Sequence, residues 1–577
     1  MTDQTKQKYS NGKSCIGDSC TIDRRKLLMG AAAVTGGAMA SSLPYSSLMA
    51  QTPVASPVGE PIPRLNGGGM GGGSNPQANF NPFSPNKISG TENLLFEKLY
   101  FINSYNCEEV PFLASSYEWT DPQNLVFTIR EGVTWNDGTP FTADDVVFTF
   151  ELVKSNAALD LRGATGSLDT VVADGNTVTF TFSQPSVPIF HPIVDTFIVP
   201  KHIWEGISDP VSEINAESPV GTGPYTLGSF NSEQVIFTKN ESYWAADEIA
   251  IQEVGFTKPA EGQADMLRLA NGEYDWNAMY IPNVEEVYVS ADPDNNHYWF
   301  AQGGLVSLYF NLTKEPFNDV NFRKAVAMAV DKDEIVQKAQ LGYVTPASQS
   351  GLKVPGQSDW LSSEIPDEGV IAFDPDGAKS LLEENGYSYD GDTLKDPNGN
   401  NVEFTFKVQA GWADWVQAAN IVAESLNNIG MQVNVETPDP SILNDQDRPT
   451  GNFDLCFNVH GGGCSMYRNY ADHLSSALSA PVGERATSNF ERWEDPETDE
   501  LLTQFLSAQT DEEQLEIAQQ LQLIQYNELP TINLWYGAVW FEYRTANAVG
   551  WPSEEDPYAG SGDLPLIFRR LRHPNDA

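Results

Sequence analysis

The sequence predicts an α/β protein of two lobes, with the C-terminal tail returning to the first. Three observations carry that prediction. Alternating strand patterns occupy residues 125–182, capped helical patterns dominate from about 311 to 529, and strand-like aromatic sequence resumes from Pro530. The length of 577 residues suits two to four domains with ample buried core.

The elements follow in chain order. From Gln51 to about Ala78 the chain is rich in Pro, Gly and Ser, including Gly67-Gly68-Gly69-Met70-Gly71-Gly72-Gly73, and is expected to be a flexible tether over 51–78. No Gly-Lys-Ser/Thr follows those glycines, and Gly221-Thr222-Gly223 runs into Pro224, so nucleotide binding is excluded. Leu125, Phe127 and Ile129 alternate as a half-buried strand. Asn136-Asp137-Gly138 turns the chain, and Thr142 caps a helix carrying Val146, Val147 and Phe150. Val178, Phe180 and Phe182 mark a second strand. Phe322, Ala325, Val326, Ala329 and Val330 form a helical stripe. Asp374-Pro375 starts a helix that Gly386 ends. A helix over about 414–428 ends at Gly430 and feeds a strand through Met431, Val433 and Val435. Asp495-Pro496 and Thr510-Asp511-Glu512-Glu513 open two more helices, and Ile532-Asn533-Leu534-Trp535-Tyr536 begins the returning strand.

Charge narrows the partners. There are 79 acidic and 33 basic residues, for a net charge of -46. Residues 1–26 hold six of the bases and three of the acids, leaving 27 and 76 for the rest. Such a surface repels phosphate backbones and anionic lipid, which excludes a nucleic-acid role. It would strain a compact state in ordinary buffer, whereas molar salt shortens the screening length to about 3 Å. The composition therefore points to adaptation to very high salt, and a halophilic archaeal source is expected on the same ground.

The N-terminus carries an export pattern. Asp23-Arg24-Arg25-Lys26 precedes an apolar stretch of 14 residues from Leu27 to Ala40, the twin-arginine arrangement, and 1–50 is expected to be a signal peptide. That stretch is too short to span a bilayer comfortably. An extracellular, cell-surface location follows. Three cysteines lie beyond the leader. Cys456 and Cys464 suit either a disulfide or, with His460 and His473, a metal cluster, although the spacing matches no standard zinc pattern.

One segment is far more specific. Phe127-Thr-Ile-Arg-Glu-Gly-Val-Thr-Trp-Asn-Asp-Gly-Thr-Pro-Phe-Thr-Ala-Asp-Asp-Val-Val-Phe-Thr-Phe150 resembles the signature of family 5 extracellular solute-binding proteins, the dipeptide, oligopeptide, nickel and oligosaccharide receptors of ABC importers. Further blocks match in order: Pro219-Val-Gly-Thr-Gly-Pro-Tyr225, Gly272-Glu-Tyr-Asp275, Tyr309-Phe-Asn-Leu312, Arg323-Lys-Ala-Val326 and Phe373-Asp-Pro-Asp-Gly377. The resemblance covers about 79–577. It implies a periplasmic-binding-protein-like, Venus-flytrap α/β fold with an additional inserted domain. The first lobe would comprise 79–118, 200–310 and 530–577, the inserted domain 119–199 and the second lobe 311–529, with hinges near 310 and 529. It also implies a monomeric binder rather than an enzyme, working without a cofactor and handing its ligand to membrane permease subunits.

The resemblance also suggests a site. Peptide-binding members hold the ligand's ammonium with an Asp in a Trp-x-Ala-Asp-Tyr-type segment, where this chain reads Cys456-Phe-Asn-Val-His-Gly-Gly-Gly-Cys-Ser-Met-Tyr467, without an acid. Aromatic residues instead stand where members line the cleft: Trp276, Asn277 and Tyr280, then Trp299 and Gln302, then Trp412 and Trp415. Flat rings with interspersed amides suit sugars, which stack through apolar faces and need fixed donors and acceptors. Glu97, His460, Trp535 and Tyr536 complete the expected ligand-binding set. Each Trp equally suits a core, and Glu97 a solvated helix end. A peptide ligand therefore remains the rival within the binder class, and a secreted carbohydrate hydrolase the rival outside it.

Overall fold

The computed structural model describes residues 59–69, 77–88, 90–259 and 264–576. The expected signal peptide and most of the glycine run lie outside the described residues. Three sheets organise the rest. The first lobe holds a seven-stranded sheet in the order 296–298, 542–544, 276–277, 65–67, 253–257, 234–239 and 225–230. The strand Leu65–Gly67 runs parallel to both Glu253–Thr257 and Trp276–Asn277.

That placement corrects the expected tether. Residues 65–67 are an interior strand, and Ile62 and Leu65 are buried in the first-lobe core. Only two apolar residues mark the segment, too few to show a period of two. The glycine also has a steric role, because a Cβ on Gly67 would lie 2.6 Å from the Trp276 ring. A side chain there would push the two strands apart.

The inserted domain is a four-stranded antiparallel sheet in the order 114–121, 124–129, 177–182 and 168–174. The helix Ala143–Ser155 packs on it through Val146 and Phe150, with Phe127, Trp135 and Phe180 in the same core. Thr142 and Asp145 form the capping box expected of this segment. The signature segment is thus a folding unit whose aromatic residues are core.

The second lobe holds a five-stranded sheet in the order 432–436, 403–407, 455–460, 301–310 and 531–539. The first three strands are parallel, and 301–310 runs antiparallel to both of its neighbours. Helices Val320–Ala329, Pro375–Glu384 and Ala413–Asn428 cover it around Phe322, Val326, Leu382 and Val422. Helices Met466–Leu474, Pro496–Phe505 and Asp511–Glu528 build a satellite core with Tyr470, Phe505 and Leu521. Asp374, Asp495 and Thr510 each accept a backbone N–H as N-caps, as their sequence positions predict.

The lobe boundary differs from expectation by about one strand. Strands 301–310 and 531–539 belong wholly to the second-lobe sheet, while 296–298 and 542–544 pair in the first. The chain therefore crosses at 299–300 and 540–541 rather than near 310 and 529. Trp299 N–H donates to Phe541 O at 2.9 Å, so the two crossings lie side by side as one ribbon. The switch to helical pattern near 311 marks where the first crossing strand ends, one strand length beyond the true crossing.

Two Asn-x-Ser/Thr triplets are structural. Asn240 and Asn311 are buried, and each side-chain oxygen accepts the hydroxyl two residues on, from Ser242 at 2.7 Å and Thr313 at 2.6 Å. Their amides donate to Gly223 O and Gly451 O.

Candidate ligand-binding cleft

In sheets with parallel strands, ligands gather at the carboxyl ends, where loops leave the sheet. In the first lobe, strands 65–67 and 276–277 release Gly68 and Gly69 on one side and residues 278–281 on the other. Gly68 lies so close to Asn277 that a Cβ would meet its amide at 2.6 Å. In the second lobe, strands 403–407 and 455–460 release residues 408–414 and the glycine loop 461–463. These loops approach across the gap between lobes. The Tyr280 hydroxyl is held above its usual range by burial and by the negative charge of Asp414 from the opposite lobe. Val284 N–H donates to Tyr343 Oη at 3.0 Å, and a disulfide joins Cys107 to Cys464.

Half-buried rings cluster at the crossings between the lobes. Trp540 makes edge contacts with Tyr280 at 5.3 Å, Phe300 at 4.8 Å and Tyr343 at 6.1 Å between centroids. Trp412 stands 50% exposed at the start of helix 413–428. Among the described residues, no group of three or more His, Cys, Asp or Glu side chains is placed to hold a metal ion.

A family model described as bacterial extracellular solute-binding proteins, family 5 Middle, matches residues 108–479, well over half of the chain. The chain belongs to that family. It is 26% identical over 482 residues to the periplasmic oligopeptide-binding protein of Salmonella typhimurium, covering 75% of this chain and 81% of that one. A crystal structure of the periplasmic oligopeptide-binding protein of an oligopeptide ABC transporter from Thermotoga maritima superposes with a TM-score of 0.81 at 29% identity. It covers 88% of this chain and 99% of that chain. The same protein with mannohexaose bound superposes with a TM-score of 0.75 at 30% identity, covering 89% and 99%.

Within this solute-binding protein the expected site residues divide into two groups. Tyr280, Trp299, Gln302 and Trp412 keep solvent contact around the gap. Trp299 packs edge-on against Tyr105 at 5.2 Å, and the Gln302 amide donates to Thr345 Oγ1 at 3.2 Å. Asn277 is buried at the end of its strand, its oxygen accepting Ala278 N–H.

The second group is core, which corrects the expectation for it. Trp276 packs among Phe256, Trp551 and Phe568. Trp415, Phe457 and Trp535 form one edge-to-face cluster under the second-lobe sheet. Trp276 and Trp535 lie on strands whose flanking residues are also buried, and Trp415 lies on the buried face of its helix. Tyr536 is 2% exposed, and its hydroxyl accepts Ser348 and Val354 N–H while donating to Leu352 O. His460 is likewise buried. Its Nδ1 lies 2.8 Å from Tyr309 Oη and its ring stacks on His473 at 4.1 Å. Burial holds His460 well below its usual range and His473 at about 4, so both are neutral at pH 7.

Cys456 is a free, buried thiol, and Cys464 pairs with Cys107 instead. Cys456 sits within strand 455–460 opposite Tyr309, and the three glycines that follow the strand carry Cys464 to the lobe boundary, where it meets Cys107 of the first lobe.

Glu97 is a buried acid rather than a solvated helix end. Tyr243 Oη at 3.0 Å and Trp244 Nε1 at 2.9 Å donate to the same oxygen. Burial raises its pKa from 4.5 to about 7, against those two hydrogen bonds and the charge of Arg130. Arg130 itself stacks 3.9 Å over the Trp244 ring. The folded state thus holds the proton more tightly than the unfolded chain. Its contribution is complete below the unfolded value near 4.5 and is lost as pH rises through about 7. A shift of that size corresponds to ~3 kcal/mol. Glu97→Gln is expected to flatten this decline between pH 4.5 and 7.5, read from denaturation midpoints. Parallel curves for the two proteins would show that Glu97 ionises freely.

Three residues at the gap carried no sequence signal. Trp540 and Asp414 are drawn to this region through Tyr280, which packs on the first and feels the charge of the second. Glu542 is fully buried, one oxygen accepting Met279 N–H at 3.3 Å and the other lacking a protein partner. Burial holds its carboxyl well above the usual range.

Proposed function

We propose that this protein is the extracellular receptor of an ABC importer and that its cleft takes an oligosaccharide. The carrying observation is the set of part-exposed rings contributed by both lobes, Tyr280, Trp299, Phe300 and Trp540 around the crossing and Trp412 on the facing helix. Sugar rings stack on such faces, while Asn277, Gln302 and the backbone of Gly69, Gly461 and Gly462 would supply donors and acceptors for hydroxyls. The mannohexaose complex of the Thermotoga maritima relative supports the same reading. The end of strand 455–460 adds to it, because it offers exposed Val459 and glycines rather than a carboxylate.

A peptide ligand is favoured by one feature, Asp414. Its carboxyl stands near Tyr280, where an ammonium would find a counter-charge. A thermal-shift screen in molar salt separates the two. Mannohexaose and other neutral oligosaccharides are expected to raise the melting temperature, since ligand at about 100 times Kd adds ~2.7 kcal/mol. Stabilisation by peptides alone would overturn the sugar assignment. Release of shorter sugars during the incubation would overturn the binder assignment in favour of a hydrolase.

Export by the twin-arginine route and function in brine belong to the same proposal. They rest on Arg24-Arg25 before a short apolar stretch and on the net charge of -46. Retention of structure after transfer to low-salt buffer would count against the brine adaptation.

A further inference from the structure

Among the described residues the two lobes are joined covalently at three points, although the chain crosses between them at two. The crossings at 299–300 and 540–541 are adjacent and hydrogen-bonded, so mechanically they act as a single pivot. The third link is the disulfide between Cys107 of the first lobe and Cys464 of the second, 357 residues apart in sequence.

Both ends of that link are anchored rather than slack. On the first-lobe side, Asn103 Nδ2 donates to Tyr558 O at 2.6 Å. Ser104 donates to the Asp563 carboxylate through its N–H at 3.0 Å and its hydroxyl at 2.9 Å. Cys107 N–H closes the loop on Asn103 O at 2.9 Å. On the second-lobe side, Gly463 N–H donates to Asn469 Oδ1 at 2.9 Å. Its carbonyl accepts Asn469 Nδ2 and Gln357 Nε2, both at 3.1 Å. Asn469 lies on helix 466–474, so the loop is tied to a packed element. Two rigid bodies held at a pivot can still rotate. A second fixed point, lying beside the pivot where Tyr105 packs on Trp299, narrows that rotation.

We propose that the Cys107–Cys464 disulfide is a redox-governed strap that limits how far the cleft opens. When oxidised, it confines the lobes to a small excursion. When reduced by a dithiol, it releases the full hinge motion. In that step a thiolate of the dithiol attacks one sulfur and the cystine bond breaks. The dithiol's second thiol then closes on the mixed disulfide, leaving a cyclic disulfide and two cysteine thiols. Two electrons and two protons pass to the protein. Both cysteines are partly exposed, so a small dithiol reaches them, whereas Cys456 is buried and takes no part.

The test is made without ligand, so its outcome is independent of which solute the cleft accepts. Small-angle scattering in molar salt compares the oxidised protein, the same sample after dithiothreitol, and the double variant Cys107→Ser with Cys464→Ser. The expected result is a larger radius of gyration for the reduced protein, the same larger value for the variant, and no response of the variant to dithiothreitol. Equal radii in all three samples, with the variant folded by circular dichroism, would overturn the proposal. Peptide mapping that recovers Cys107 and Cys464 as free thiols from air-oxidised protein would overturn it equally. A variant that fails to fold leaves the reduced wild-type sample to decide.

Discussion

Trp535→Ala is expected to cost ~3–5 kcal/mol of stability, while Trp412→Ala costs under about 0.5 kcal/mol. The two rings lie at opposite ends of one aromatic chain. Trp535 is 1% exposed and packs edge-on against Trp415 and Phe457, so its loss leaves a cavity that strand 301–310 on one side and the bridge to Pro346 on the other cannot close. Trp412 touches the same chain through Trp415 at 4.9 Å but stands half in solvent. The binding effects should run the other way. Trp412→Ala is expected to weaken ligand by ~1–2 kcal/mol, about 5- to 30-fold, as for a well-placed aromatic contact. Denaturation midpoints and isothermal titration in molar salt read the two effects separately. Equal destabilisation by both substitutions would contradict this division between core and cleft.

Arg323→Met should cost ~3–5 kcal/mol, centred on the second lobe. The guanidinium is buried and donates to three carbonyls: Nη1 to Phe317 O at 2.8 Å, Nη2 to Glu528 O at 2.6 Å, and Nε to Glu528 O and Leu529 O. Glu528 ends helix 511–528, so a cation there also meets the negative end of the helix dipole. Burial lowers the pKa of Arg323 to about 10, which still leaves it charged at neutral pH. Removing it strands buried carbonyls at ~1–3 kcal/mol each. The variant Arg323→Lys is expected to recover only part of the loss, because an ammonium lacks the planar fork that spans these acceptors. Hydrogen exchange should accelerate over 520–531, where helix 511–528 hands the chain to the crossing strand. Unchanged exchange there would place the role of Arg323 elsewhere.

The fate of Arg323 bears on how the family resemblance is to be understood. Its block, like the signature from Phe127 to Phe150, records how the chain folds. Phe127, Trp135 and Phe150 are core, and Gly221 and Gly223 press against the backbone of Leu94 and Leu95, where a Cβ on Gly221 would lie 1.8 Å from Leu95 O. Such blocks identify the family securely, yet they name few residues that meet a ligand.

What was legible in the sequence was local. The capping box at Thr142, the Asp-Pro starts at Asp374 and Asp495, the glycine stops at Gly386 and Gly430 and the strand Thr177–Phe182 all stand where the spacing puts them. Each depends on hydrogen bonds and side-chain directions within a few residues, so a short window contains its cause. Everything that required two distant segments waited for the tertiary structure. A strand of three residues, Leu65–Gly67, exists because a slot between 253–257 and 276–277 receives it. Trp276, Trp415 and Trp535 turned inward while Trp412 did not, a choice set by which sheet face each strand or helix presents to its core. Cys464 found Cys107 rather than the nearer Cys456, because strand geometry fixes separation in space regardless of separation in sequence. Sequence by itself determined the family, the charge and those elements whose signals are local. Packing between elements decided which rings meet solvent and which points tie the lobes together, since burial is a property of the assembled surface and of no single segment.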